Sequence, residues 1–209
     1  MAKPAPPARP RARFVRETPD VRRQTLINAT ARCLAEKGAG GTSVRAICAR
    51  AGVSSGLLTH YFDGVDALIA ATYADVGAKV STAISAAIDA AGNDPKARLR
   101  ACLLANFRPP ILDPDLLATW IAFWSLIKTD PRMAAIHTDV YGETRTQLED
   151  LLRRAAPAMT EAQVRVAAIS LTALVDGLWL ELCLDRSTFT PLEAQDMVEE
   201  AMNQALIEN

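Results

Sequence analysis

The chain has 209 residues, half of them hydrophobic, with a formal net charge of −1. That length is enough for one large domain or two small ones, and the Ala- and Leu-rich composition favours helices over strands. The near-zero charge hides a split. Residues 1–62 carry eleven Lys and Arg against three acids, a surplus of eight bases; residues 63–209 carry twelve against 21, a surplus of nine acids. A basic front on an acidic back is the asymmetry of a nucleic-acid-binding head on a different kind of body. Cys33, Cys48, Cys102 and Cys183 are widely spaced within apolar helical patterns and form no CxxC, so they read as reduced core residues of a cytoplasmic protein. No apolar h-region follows the basic N-terminus, and Arg165, Asp176 and Glu181 interrupt the most apolar segment, 164–184. Neither a secretory leader nor a membrane span is expected.

Residues 1–17 are Pro- and Arg-rich and are expected to be a disordered arm, either following a DNA backbone or serving as a solubilising tail. Thr18 and Pro19 open the first helix as N-cap and first helical residue, and Leu26, Ile27, Thr30, Cys33 and Leu34 form its buried stripe. Gly38 is expected to end it. The Gly-rich run 38–41 lacks both a preceding strand and a following Lys, so it reads as a connector and not a phosphate loop.

Residues 42–62, TSVRAICARAGVSSGLLTHYF, organise everything else. Val44, Ile47, Cys48 and Ala51 make one apolar stripe of a short helix. Gly52 breaks it, and Ser54 caps a second helix that runs to about Phe62. Two short helices around a tight Gly turn fit a helix-turn-helix, and they also fit an ordinary corner between core helices. The face left over favours the first reading. With Val53, Leu58 and Phe62 turned inward, Ser54, Ser55, Gly56, Leu57, Thr59 and His60 remain outside, and no acid occurs between 42 and 62, as a phosphate surface requires.

Asp63, with Asp66 three residues on, reads as the cap of a long helix reaching about Ala90. Further helices are expected over 95–107, 115–128, 131–155, 160–184 and 191–207, each bounded by Pro, Asp or Thr signals. The fold class is therefore all-α, with about nine helices: a head over 18–64 and an effector-binding and dimerisation body over 65–209.

Trp120 and Trp124 stand one helical turn apart, and Trp179 follows Asp176 by three residues on another helix, with Phe107, Phe123 and Tyr141 close in chain order. A carboxylate in an apolar helix needs a partner, and an aromatic cage with a carboxylate suits a quaternary ammonium ion. Phe107, Trp120, Phe123, Trp124, Tyr141, Asp176 and Trp179 are thus the candidate ligand set. Plain core packing, with Asp176 capping a neighbour, fits the same residues.

The stretch VSSGLLTHYFDGVDALI resembles the signature of TetR-family transcriptional regulators, and NFRPPILDPDLLATWIAFWSLIKTDPRM and ALVDGLWLELCL resemble the BetI-type subgroup, repressors of choline-to-glycine-betaine genes. The likeness spans roughly residues 20–205. It implies a homodimeric repressor, paired through its last two helices, that a small molecule (choline or a related amine) releases from a palindromic operator. Carried over by position, Ser54, Ser55, Gly56, Leu57 and Thr59 would face base edges. Thr42, Ser43, Arg45, His60 and Tyr61 would hold phosphates. One departure stands out: relatives place a Lys where this chain has Val65, so the anchorage there would fall to helix N-terminal amides or to the arm. No cofactor or metal is implied. The alternative, a helical small-molecule-binding protein or an enzyme without DNA binding, meets the basic head and only two histidines, His60 and His137, with no HExxH, Ser–His–Asp order or Gly-rich cofactor loop to join them.

Overall fold

The computed structural model describes residues 18–185 and 187–207; the arm expected over 1–17 lies outside them. Nine α-helices and one 3-10 turn make up the described residues, with no strand among them: α1 Pro19–Gly41, α2 Val44–Ala51, α3 Ser55–Tyr61, α4 Gly64–Ala90, α5 Pro95–Leu104, the turn Ala105–Phe107, α6 Pro114–Leu126, α7 Pro131–Ala155, α8 Glu161–Leu184 and α9 Pro191–Ile207.

Short polar side chains set most of these boundaries by accepting from free amides of the first turn. Thr18 caps α1, Ser43 α2, Ser54 α3, Asp94 α5, Asp113 α6 and Asp130 α7, while Thr160 and Gln163 form a reciprocal capping box on α8. Asp63 departs from expectation. Its backbone sits at φ −74°, ψ 61°, not in the extended conformation of the working caps, and its carboxylate makes no capping bond. Gly64, at φ 88°, takes the chain into α4 instead, and Asp66 lies 3.7 Å from the Arg132 guanidinium. Gly38 does interrupt α1, with φ 64° and ψ −176°, but helical turns resume through Gly41. The helix expected over 95–107 is α-helical only to Leu104, and its last turn tightens to 3-10, where the Asn106 amide donates to the carbonyls of Cys102 and Leu103.

Two apolar cores result. Leu26, Ile27, Cys33, Ile47, Leu58, Phe62 and Leu68 close the head, and the larger body core is centred on Tyr73, Phe107 and Phe123. The boundary expected between residues 64 and 65 falls at the start of α4, a helix that serves both cores: Leu68 packs in the head, Ile69 and Tyr73 in the body. Val65 touches both clusters, so an apolar side chain fills the seam at the position where the resemblance implied a Lys. Helix α1 also joins the two, packing along α6, where the Thr119 hydroxyl is shared between the Asp115 carbonyl at 2.7 Å and the Ala31 carbonyl at 3.1 Å.

Helix α8 is long and apolar enough to cross a membrane by length and composition, and only a third of that window is buried within the chain. Val166 (63% exposed) and Ile169 (42%) leave an apolar face open, continued on α9 by Met197 (43%).

Candidate nucleic-acid interface and ligand cavity

Gly52, in the left-handed conformation (φ 66°, ψ 32°), turns the chain between α2 and α3. The Ser54 hydroxyl then accepts from the Leu57 amide at 3.3 Å and fixes the start of α3. Leu58, fully buried, anchors the helix, and Phe62 is covered by the Arg23 guanidinium, 5.0 Å from its ring. What α3 leaves outside is an exposed surface of Ser54, Ser55, Gly56, Thr59 and His60, with Leu57 half-buried beside them. The Thr59 hydroxyl rests on the Ser55 and Gly56 carbonyls at 3.3 and 3.2 Å and keeps its lone pairs toward solvent. Tyr61 is half-buried against the head core, with the His60 ring edge-on at 5.1 Å.

Ser43 and Arg45 are exposed at the start of α2. Thr42, also expected to hold a phosphate, is buried, and its hydroxyl donates to the Gly38 carbonyl at 2.8 Å; it closes the α1–α2 junction from within. The structure adds two cations that motif reading passed over. Lys37 and Arg50 line a shallow hollow with Ser43 and Arg45, and Arg50 pairs there with Glu36. Their signal in the sequence was charge alone: Lys37 precedes the two-helix motif, and Arg50, though on α2, stood out only as part of the basic surplus.

The body holds a cavity of about 470 Å³ between α4, α5, α6, α7 and α8. Of the seven candidate ligand residues, Trp120, Tyr141, Asp176 and Trp179 line it together. Trp120 and Trp179 meet edge-to-face with ring centres 6.0 Å apart, and the Trp120 indole donates to the Tyr141 hydroxyl at 3.4 Å. The other three stand apart. Phe107 is sealed in the core, Phe123 stacks on Tyr73 at 4.4 Å, and Trp124 packs half-buried on the body core outside the cavity. Cavity residues that sequence reasoning missed include Asn106, Asp139, Glu143, Thr144 and Thr172. Asp139 and Glu143, one turn apart on α7, were recognisable only as surface acids.

Among the described residues, every formally charged one lining the cavity is an acid: Asp139, Glu143 and Asp176. Burial raises the Asp176 carboxyl from 3.8 to about 6, while the neighbouring Tyr141 hydroxyl draws it part of the way back. Burial, reinforced by the nearby Asp176 charge, pushes the Tyr141 phenol up as well. Behind Tyr141, His137 lies ring to ring at 4.3 Å and bonds to the Tyr73 hydroxyl at 3.1 Å; burial lowers its pKa, which favours the neutral ring. A broader groove of about 790 Å³ on the surface of α7 shares Asp139 and Glu143 with the cavity but also carries Arg98 and Arg154 and is open to solvent. It has the character of an approach to the cavity and not of an enclosure.

Residues 26–72 match the family described as bacterial regulatory proteins, tetR family, and residues 95–206 match the BetI-type transcriptional repressor C-terminal family. The HTH-type transcriptional regulator BetI of Burkholderia lata is 37% identical over 161 residues, covering 77% of this chain and 81% of that protein. A crystal structure of a putative transcriptional regulator from Pseudomonas aeruginosa PAO1 superposes with a TM-score of 0.84 at 42% identity, covering 92% and 93% of the two chains. A putative transcriptional regulator from Saccharomonospora viridis, crystallised in complex with choline, shares the fold with a TM-score of 0.76 at 15% identity, over 88% of this chain and 96% of the other.

Proposed function

Because this chain belongs to the TetR family of bacterial transcriptional regulators, with a BetI-type C-terminal half, we propose that it is a homodimeric repressor that a small organic cation releases from a palindromic operator. Its relatives are DNA-binding regulators and not enzymes. The exposed, acid-free face of α3 supports the assignment of base contact to Ser54, Ser55, Gly56, Leu57 and Thr59. Phosphate contact goes to Ser43, Arg45, His60 and Tyr61, with Lys37 and Arg50 added at the rim. Thr42 positions this surface from behind.

The effector reading rests on one observation: three carboxylates and no base among the described residues of a cavity walled by Trp120, Trp179 and Tyr141. An anion would meet only repulsion there, whereas a cation finds both counter-charge and aromatic rings, each ring worth roughly 0.5–2 kcal/mol. Choline, or a related amine, suits that chemistry, and a protein of this fold was crystallised with choline.

Pairing through α8 and α9 is supported by their open apolar face, which a second copy would cover, and by the exposed Arg165, which a bilayer would not tolerate within that helix. The protein would then act in the cytoplasm, where its DNA lies. Two heads would engage half-sites whose centres lie about 34–36 Å apart, or a multiple of that. If the effector prefers the spacing that misfits DNA, linkage makes the effect mutual, and a coupling of about 1–3 kcal/mol changes operator affinity roughly 5- to 150-fold. The test is fluorescence anisotropy on labelled DNA from upstream of the chain's own gene, with and without choline. Binding that choline weakens supports the reading; binding indifferent to choline and to a panel of amines refutes the effector half.

A further inference from the structure

The bases of the head are unevenly placed. Lys37, Arg45 and Arg50 gather near the end of α1 and along α2. The sequence from Ala51 to Ala78, which holds α3 and the first half of α4, contains no Lys or Arg. It carries instead Asp63 and Asp66, both exposed at the corner between those helices. Asp66 faces Arg132, and Asp63 makes no capping bond. A duplex presents phosphates on both sides of the groove that α3 would fill, so a head charged on one side leaves the other without counter-charge.

The first turn of α1 stands on that other side. The Arg23 guanidinium lies 5.0 Å from the ring of Phe62, the residue that ends α3. Gln24 donates to Asp75 at 3.2 Å and Lys79 donates to Asn28 at 3.4 Å, so α1 and α4 run side by side in the same direction. Going backward along α1 therefore leads toward the corner where α3 ends and α4 starts. Thr18, Pro19, Asp20 and Val21 are exposed at this end. The length of α1, roughly 27 Å from Pro19 to Lys37, separates it from the basic hollow.

The sequence before Thr18 supplies the missing charge. Lys3, Arg9, Arg11, Arg13 and Arg16 are accompanied by one acid, Glu17, and only Pro10 and Ala12 separate the three middle arginines. Pro10 favours extended backbone for itself and for Arg9, and extended backbone sets alternate residues on one side about 6.6 Å apart. Arg13 is five residues from Thr18, hence within about 17 Å of the exposed first turn. Arginines on so thin a segment suit the minor groove, roughly 6 Å wide, where A·T tracts narrow the walls and deepen the negative potential. A G·C pair adds an amino donor there, which a guanidinium cannot use. We propose that Arg9, Arg11 and Arg13 enter the minor groove beside the major groove that α3 occupies, and that they favour A·T pairs flanking each half-site. The proposal rests on the DNA-binding reading above and adds to it a second, differently read contact.

The test is fluorescence anisotropy with the full chain and labelled duplex from upstream of its own gene, trimmed to the protein's footprint. The pairs flanking each half-site are made A·T, G·C or inosine·cytosine; the last keeps the major-groove acceptors of guanine but lacks its minor-groove amino group. The parent should bind the A·T and inosine·cytosine duplexes alike, and the G·C duplex about fivefold or more weakly. The triple variant Arg9→Ala, Arg11→Ala, Arg13→Ala, its helix content checked by circular dichroism, should bind all three duplexes equally, each more weakly than the parent binds A·T, and with a shallower salt dependence. Inosine·cytosine behaving like G·C, or a parent indifferent to the flanks, overturns the minor-groove contact while operator binding stands. So does a triple variant that binds as tightly as the parent, which makes the segment a solubilising tail, or more tightly, which makes it a competitor of DNA. If the parent binds none of the duplexes, the DNA-binding reading fails and this proposal falls with it.

Discussion

An Asp176→Asn variant should be more stable than the parent at pH 7.5 and bind choline less tightly. Burial raises the Asp176 carboxyl from 3.8 to about 6. Between those values the folded chain holds a proton that the unfolded chain has released. The contribution of Asp176 to stability therefore falls as pH rises through about 4 to 6 and stays lower above that window. Roughly two units at about 1.36 kcal/mol each put the full penalty near 3 kcal/mol. The buried amide of Asn costs something of its own, so a gain of roughly 1–2 kcal/mol at pH 7.5 is expected. A bound cation reverses the balance, because it is attracted to the ionised form alone. Choline affinity of the parent should be flat above about pH 7 and fall about tenfold per pH unit below about 6, whereas the variant binds weakly and evenly. Of the titratable groups around Asp176, Tyr141 and Tyr73 stay neutral across this range, since burial raises both. His137, whose pKa burial lowers, is a further group that could gain charge on acidification. Urea denaturation and titration calorimetry from pH 4 to 8 read both effects. A stability gap between variant and parent that does not widen from pH 4 to 6, or a variant whose choline binding keeps the parent's pH profile, would refute the reasoning and shift the titration to another group of the site.

Other perturbations separate head, body and interface. Leu57→Glu places a carboxylate on the acid-free face of α3 and should abolish operator binding in anisotropy at moderate salt while leaving choline titration unchanged. The parent's log affinity for DNA should fall steeply and linearly with log salt concentration, by about 0.9 per phosphate neutralised. Val166→Glu, at a position 63% exposed in the single chain, should shift the sedimenting species from dimer toward monomer; an unchanged dimer would remove α8 from the interface. Gly77→Ala would set a methyl 3.1 Å from Val140 Cγ2, where α4 and α7 meet at the cavity wall. Because that valine must give way by a few tenths of an ångström, a loss of roughly 1 kcal/mol in urea denaturation is expected, with recovery in the Gly77→Ala, Val140→Ala double variant.

Most helix boundaries were legible because each is written in one residue type with one physical job, such as Thr18, Ser54 or Thr160 accepting from a first-turn amide. Asp63 misled for the same reason: the residue type is right, but capping also requires an extended backbone, and the Gly64 turn that denies it depends on how α3 hands over to α4. The cavity was half legible. Periodicity put Trp120 and Trp124 on one face of α6, yet the cavity reaches that helix at Trp120 alone, because its extent is set by α4, α7 and α8, which the α6 sequence does not encode. Phe123 was drawn into the cage by chain proximity and belongs to Tyr73. Thr172 and Thr144 carried no signal, since a lone hydroxyl on a helix looks the same whether it faces water or a hollow.

Thr119 and Trp120 are consecutive on α6, one held to the Ala31 carbonyl of α1 and the other forming part of the cavity wall. Under the proposed function, an effector that turned α6 about its axis would carry Trp120 and Thr119 together, and with Thr119 its contact to the helix on which the head is mounted. On that reading, the span from sensing a solute to shifting a grip on duplex would be a single peptide bond.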